Sequence, residues 1–320
     1  MKRTISTTFA AVLLSTTLFL GGTEAAENAS FATRFDSEPI DGLNIAYREA
    51  GDPANPAVLL LHGFPTNSHM FRELIPTLAE DYYVIAPDYP GFGASDMPDA
   101  AEYDYSFANT AALMTELLDR KNIGDYSAYV MDYGAPVGYR MFAADPSRVT
   151  GFIIQNGNAY EEGLRDFWDP IKAYWADPSD ANGDALRGFF EMGATKWQYT
   201  AGVQDLNSVS PDSYIQAQYL LDRPGNQEVQ LEMFLDYGTN VAEYPKWQAL
   251  FREYQPPALL MWGQNDPIFP AEGAYPYKAD LKDLEFHLLD TGHFALEEYG
   301  DEIAGEMKVF LARINAPVSQ

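Results

Sequence analysis

The stretch that most constrains this chain is Tyr126-Ser127-Ala128-Tyr129-Val130-Met131-Asp132-Tyr133-Gly134-Ala135-Pro136-Val137-Gly138. A mostly apolar run leads to one acidic residue, and small residues then open a segment with helical spacing, so the pattern predicts strand, abrupt turn, helix. Asp132 is the tip of that turn. Such a turn pushes one side chain out above the sheet edge, and Gly134 and Ala135 let strand and helix pack closely around it. A carboxylate held there is ionised near neutral pH and can attack carbon with no base to activate it. An Asp that merely caps the following helix is the competing reading, so other parts of the chain must decide.

The chain order supplies the context. Phe35 to Ala50 reads as edge hairpin strands. Ala57 to Leu61 is a near-continuous apolar run, as expected of a strand buried on both faces of a largely parallel sheet, and it ends at His62-Gly63-Phe64-Pro65. Tyr82 to Pro87 repeats the pattern and ends in a glycine-punctuated loop, Asp88 to Ser95. A helix over Ser106 to Arg120 precedes the Asp132 strand, and Val149 to Gln155 follows it, closing at Asn156-Gly157-Asn158. From about Ala159 to Tyr244 strand runs give way to aromatic-rich helical pieces, a helical insertion over the strand ends. Strands resume at Ala258 to Trp262 and Leu284 to Leu289, and a last helix spans Leu296 to Ile314. Alternating strands and helices predict an α/β doubly wound sheet with ligands at the carboxyl ends of the strands. The predicted layout is core over 27–158, cap over 159–244 and core again over 245–320.

Composition narrows the function. With 320 residues and 47% hydrophobic content the chain can bury a large core, as one big domain or two smaller ones. Residues 1–26, with Lys2 and Arg3, an apolar run from Phe9 to Leu20 and a small-residue end, read as a secretory signal cleaved near Ala25 or Ala26. The run is shorter than the roughly 20 residues of a membrane span, so export into the periplasm or medium without a membrane anchor is expected. There are no cysteines, so no disulfide or thiolate chemistry is available. A net charge of −27 disfavours nucleic acid, anionic membrane surfaces and strongly anionic substrates, and an acidic surface of this kind could suit a saline habitat. Self-association into a homo-oligomer is left open.

Three polar residues occupy the first loop after a buried strand: Asp132, Asp266 in Gly263-Gln264-Asn265-Asp266, and His293 in Gly292-His293-Phe294. The order nucleophile, acid, histidine is that of an α/β-hydrolase triad. Of four histidines, His62, His69, His287 and His293, only His293 lies at a strand's carboxyl end after all the other elements. It is the base candidate, with Asp266 orienting its ring. No histidine pair has i, i+4 spacing, and neither a metal nor a cofactor is expected.

From about Phe35 to Pro317 the chain resembles the α/β-hydrolase fold, and within it the epoxide hydrolases, whose sister branch is the haloalkane dehalogenases. The motifs that carry the likeness are His62-Gly63-Phe64-Pro65, Gly91-Phe92-Gly93-Ala94-Ser95, Met131-Asp132-Tyr133-Gly134-Ala135-Pro136, Gly263-Gln264-Asn265-Asp266 and Gly292-His293-Phe294. The resemblance implies an oxyanion hole from the backbone N–H groups of Phe64 and Tyr133. It also implies two cap tyrosines that donate to the epoxide oxygen, Tyr174 in Tyr174-Trp175-Ala176-Asp177-Pro178 and Tyr237 in Leu235-Asp236-Tyr237-Gly238, with Tyr199 as the runner-up for the first. A phenol stays protonated at neutral pH and can donate to a developing alkoxide. Phe64 stands where dehalogenases often carry Asn, and Tyr133 where both branches usually carry Trp. The implied reaction opens a neutral apolar epoxide to a diol through an ester on Asp132. Its rivals are haloalkane dehalogenation by the same residues and a ligand-binding protein that keeps the fold without turnover. Ester hydrolysis is disfavoured, because acyl transfer to a carboxylate gives an anhydride.

Overall fold

The computed structural model describes residues 31–316. The segment read as a secretory signal lies outside those residues. Eight strands form one sheet in the order β1-β2-β4-β3-β5-β6-β7-β8. They are β1 (Arg34–Ile40), β2 (Leu43–Ala50), β3 (Ala57–Leu61), β4 (Tyr83–Pro87), β5 (Tyr126–Met131), β6 (Val149–Gln155), β7 (Ala258–Gly263) and β8 (Leu284–Leu289). β2 pairs antiparallel with both β1 and β4, and every other pairing is parallel. The apolar runs of the sequence fall where such a sheet needs them, since every residue of β3, β4, β5 and β7 is buried.

The helices that cover the sheet are α1 (Leu74–Leu78), α2 (Phe107–Arg120), α3 (Gly134–Ala144), α9 (Tyr277–Asp280) and α10 (Ala295–Ile314). Strand alternation divides the core between the two faces. Leu59 and Leu61 pack with Leu113 and Leu117 of α2 and Val137 of α3, whereas Val58 and Leu60 pack with Ile75 of α1 and Met307 and Phe310 of α10. Ser106 caps α2, its side chain accepting from Asn109 N at 3.1 Å, which explains why the helix starts where its periodicity does.

Between β6 and β7 the chain leaves the sheet and builds α4 (Asp169–Ala176), α5 (Asp180–Leu186), α6 (Met192–Thr200), α7 (Pro211–Leu221) and α8 (Asn226–Tyr254). The sequence ends the cap at Tyr244, yet α8 continues through Pro245 without a break. Beyond it Trp247 and Phe251 pack on Tyr139 of α3 at 5.5 and 5.1 Å between ring centres, as part of the core. Polar clamps hold the cap down: Arg223 Nη2 donates to Gly91 O at 2.5 Å, Phe107 N to Asp236 Oδ2 at 2.7 Å, and Ser213 Oγ to Glu297 Oε1 at 2.8 Å. Among the described residues no helix is long and apolar enough to cross a membrane.

Candidate active site

The β5–α3 turn sets the site. Asp132 has a φ of +50°, a left-handed conformation that an L-residue holds at a cost of about 1–3 kcal/mol. Asp tolerates this region better than most residues do. The turn works only because the neighbouring backbone comes very close. A Cβ added to Gly134 would lie 2.2 Å from the Leu61 carbonyl oxygen, and one added to Gly63 would lie 2.3 Å from Asp132 Cβ.

In that position one carboxylate oxygen is fixed. Asp132 Oδ1 accepts from Phe64 N at 2.7 Å and from Tyr133 N at 2.6 Å, the two amides that the family resemblance assigns to an oxyanion hole. Burial pushes the Asp132 carboxyl up to about 6, while the charge on His293 and the two amide donors work in the opposite direction. The other oxygen, Oδ2, faces His293 Nε2 at 3.7 Å, too long for a direct hydrogen bond.

The imidazole is held from behind. His293 Nδ1 lies 2.7 Å from Asp266 Oδ2, so the carboxylate accepts a hydrogen bond from Nδ1–H, which leaves the Nε2 lone pair facing Asp132 when the ring is neutral. Burial favours the neutral ring, but the charge and hydrogen bond of Asp266 and the charge of Asp132 outweigh it and raise the His293 pKa. Asp266 is itself pinned by Ile268 N on Oδ1 at 2.7 Å and by Asn156 Nδ2 on Oδ2 at 2.8 Å.

Two residues that sequence reasoning passed over complete this support. Asn156, at φ +46°, also accepts from Gly263 N at 2.9 Å through Oδ1, and so ties the end of β6 to the acid loop. Gln155 Nε2 donates to the His293 carbonyl at 2.7 Å while its Oε1 accepts from Tyr129 Oη at 2.7 Å. The available signal was a Gln-Asn pair at the carboxyl end of an otherwise apolar strand.

Above Asp132 the walls are aromatic. Tyr133 lies between Phe64, Phe92, Phe107 and Tyr237, with ring centres 6.0, 6.3, 5.0 and 6.0 Å away. Tyr237 is 1% exposed, packs on Trp168 at 4.5 Å, and turns its hydroxyl to within 3.5 Å of the Tyr244 hydroxyl. Burial first, and the nearby Tyr244 and Asp132 after it, raise its pKa well above 10. The two indoles packed around Tyr237 are already committed: Trp168 Nε1 donates to Ile268 O at 2.8 Å and Trp175 Nε1 to Phe234 O at 2.7 Å.

The structure therefore brings together Asp132, His293, Asp266, the amides of Phe64 and Tyr133, and the ring of Tyr237. It does not bring Tyr174 to them. The Tyr174 ring packs against Gly183 of α5, and the charges it senses are those of Glu232, Asp180 and Arg187. The register of α4 explains this, because Trp175 rather than Tyr174 turns toward Tyr237, with the two rings nearly parallel at 6.1 Å. Tyr199 is also elsewhere: it stacks on Phe294 at 3.9 Å and hydrogen-bonds Thr66. His62 is fully buried, stacks on Tyr89 at 4.1 Å, and is driven down to about 4 by burial, which makes it a packed neutral ring.

Outside this site, Glu285 and His287 on one face of β8 and Glu306 on α10 gather possible ligand atoms within 4.8 Å of one another. Arg313 Nη2 already lies 3.0 Å from Glu285 Oε1, so a cation is supplied by the chain itself.

A profile of the α/β hydrolase fold matches residues 56–299, and the chain belongs to that family. It is a hydrolase, and the relatives it resembles include enzymes that act on carbon–halogen bonds. It is 45% identical to an uncharacterized hydrolase of Saccharomyces cerevisiae over 83% of this chain and 93% of that protein. It is 38% identical to a haloalkane dehalogenase of Psychrobacter cryohalolentis over 86% of this chain and 89% of that enzyme. A candidate epoxide hydrolase of Pseudomonas aeruginosa shares the fold with a TM-score of 0.73 at 20% identity, covering 93% of this chain and 98% of that structure.

Proposed function

We propose that the protein is an epoxide hydrolase that opens a neutral, apolar epoxide through a covalent ester on Asp132. The observation that carries this reading is the chemistry of the donors around the nucleophile. Phe64 has no side-chain donor, the indole N–H groups of Trp168 and Trp175 are donated to main-chain carbonyls, and Tyr237 offers a phenol. A departing epoxide oxygen needs a proton, which a phenol supplies; a departing halide needs none.

In the first half-reaction Asp132 Oδ2 attacks an epoxide carbon and the C–O bond breaks toward oxygen, whose charge the Tyr237 hydroxyl meets. In the second, His293 Nε2 takes a proton from water, and the resulting hydroxide adds to the ester carbonyl. Asp132 Oδ1 already accepts two amides at 2.7 and 2.6 Å, so the oxyanion forms where its donors are preorganised. Collapse of the adduct releases the diol and restores the carboxylate. The −27 charge and the aromatic walls support a neutral substrate.

A second reading, haloalkane dehalogenation, is favoured by the 38% identity to the Psychrobacter cryohalolentis enzyme. Asp132, His293 and Asp266 serve both reactions unchanged. Parallel assays of styrene oxide and 1-bromobutane discriminate. Diol formation with negligible bromide release supports the epoxide reading, and bromide release without diol refutes it.

A further inference from the structure

One buried hydroxyl beside the nucleophile has no structural work. Tyr133 is 2% exposed, and among the described residues its Oη has no hydrogen-bond partner. A buried hydroxyl left unpaired costs about 1–3 kcal/mol. Phenylalanine would fill the same aromatic seat between Phe64, Phe92 and Phe107 without that cost. The other unpaired polar atom at this spot is His293 Nε2, whose lone pair has a use in the chemistry. That nitrogen lies 3.7 Å from Asp132 Oδ2, and the unpaired hydroxyl belongs to the residue that directly follows Asp132 in the chain.

The position of Tyr133 gives its hydroxyl a use as well. Its backbone N–H is fixed on Asp132 Oδ1 at 2.6 Å, so the residue moves as one piece with the nucleophile. Its ring stands 6.0 Å from that of Tyr237, with 39° between the planes, so the two phenols line adjoining parts of the same aromatic wall. Tyr174, the residue expected to share the donor role, lies against α5 instead. Burial, and then the charges of Asp132 and Asp236, hold the Tyr133 phenol well above its ordinary value, so it keeps its proton at neutral pH.

We propose that the Tyr133 hydroxyl is a second donor to the departing epoxide oxygen, acting with Tyr237. The proposal rests on the epoxide reading. As the bond from Asp132 Oδ2 to carbon forms, the ring C–O bond breaks and its electron pair stays on oxygen. That oxygen accepts hydrogen bonds from both phenols and takes a proton from one of them. Ester hydrolysis consumes one water and releases one proton, which restores the phenol, so the cycle closes with no other reactant.

The test compares His293→Gln with Tyr133→Phe/His293→Gln. In both proteins the ester formed from styrene oxide accumulates, and its rate of appearance on the Asp132 peptide is read by quenched mass analysis. Phenylalanine keeps the ring and the backbone N–H and removes only the unpaired hydroxyl. The expected result is ester formation slowed by about 100-fold, the lower end of the range for loss of one preorganised donor. The melting temperature should be unchanged or higher, because an unpaired buried group has gone. Equal rates in the two proteins overturn the proposal and leave the epoxide reading standing. No ester in His293→Gln alone overturns the epoxide reading, and this proposal with it. Should Tyr133→Phe fail to fold, 3-fluorotyrosine at position 133 replaces it. Its more acidic phenol should speed ring opening by about threefold, as general-acid behaviour requires, and an unchanged rate overturns the proposal.

Discussion

Replacing Asp132 with asparagine should stabilise the protein, and the gain should depend on pH. Asparagine has the same shape, tolerates the left-handed conformation of residue 132, and keeps an Oδ1 acceptor for the amides of Phe64 and Tyr133. What it removes is a buried charge. The folded-state carboxyl titrates at about 6 against an ordinary 3.8, a displacement worth about 3 kcal/mol. Because the folded value is the higher one, the native state holds the proton more tightly than the unfolded chain does. The stability linked to that proton is fully present below pH 3.8 and is lost as the pH rises through about 6. Asp132→Asn carries no such loss, so its advantage should be near zero at pH 4, grow through pH 5, and level off above pH 6 to 7. At about 2–4 °C per kcal/mol for a chain of this size, the expected rise in melting temperature at pH 8 is about 6–12 °C. Thermal unfolding of both proteins at matched ionic strength from pH 4 to 8 measures it. A variant that is no more stable than wild type at pH 8, or a gain that does not change with pH, would refute the assignment of a burial-strained carboxylate.

His293→Gln should form the ester and fail to hydrolyse it, giving a burst of one equivalent of alkylated protein and no sustained turnover; the absence of both burst and adduct removes His293 as the base. Because Asp132 must be ionised to attack, single-turnover ring opening should decline as the pH falls through about 6, and a rate flat from pH 5 to 8 contradicts this. Tyr237→Phe should slow ring opening by about 100-fold, whereas Tyr174→Phe, whose hydroxyl lies by α5, should leave it within about twofold. Equal losses in both variants would mean that the cap rearranges around substrate.

The fold was legible because its signals are local. Fully buried strands such as Ala57–Leu61 must be largely apolar runs, and the turns after β5, β7 and β8 are where charged and catalytic side chains follow them. Asp132, Asp266 and His293 stand out for that reason. The backbone donors, Phe64 and Tyr133, came from the family resemblance of the motifs that hold them, not from spacing alone. The cap was less legible, because Tyr174 and Trp175 are adjacent aromatics in a short helix and periodicity does not say which side of it faces the sheet. Tyr174 and Trp175 differ by one position, and α4 turns the indole inward. Asn156 and Gln155 escaped notice for a different reason. Their role appears only when β6 lies beside β7, which brings Asn156 within 2.8 Å of an aspartate 110 residues away. The unpaired Tyr133 hydroxyl is a property of packing, which no spacing encodes.

The central claim is that an oxygen of Asp132 bonds to the substrate carbon before water enters. One turnover of styrene oxide in water enriched in heavy oxygen, with protein in excess, tests it through the mass of the peptide that contains Asp132. Transfer of one labelled oxygen to that peptide, with unlabelled diol, is the predicted result. Label in the diol with none in the peptide would mean that water attacks the epoxide directly, and the account would be wrong.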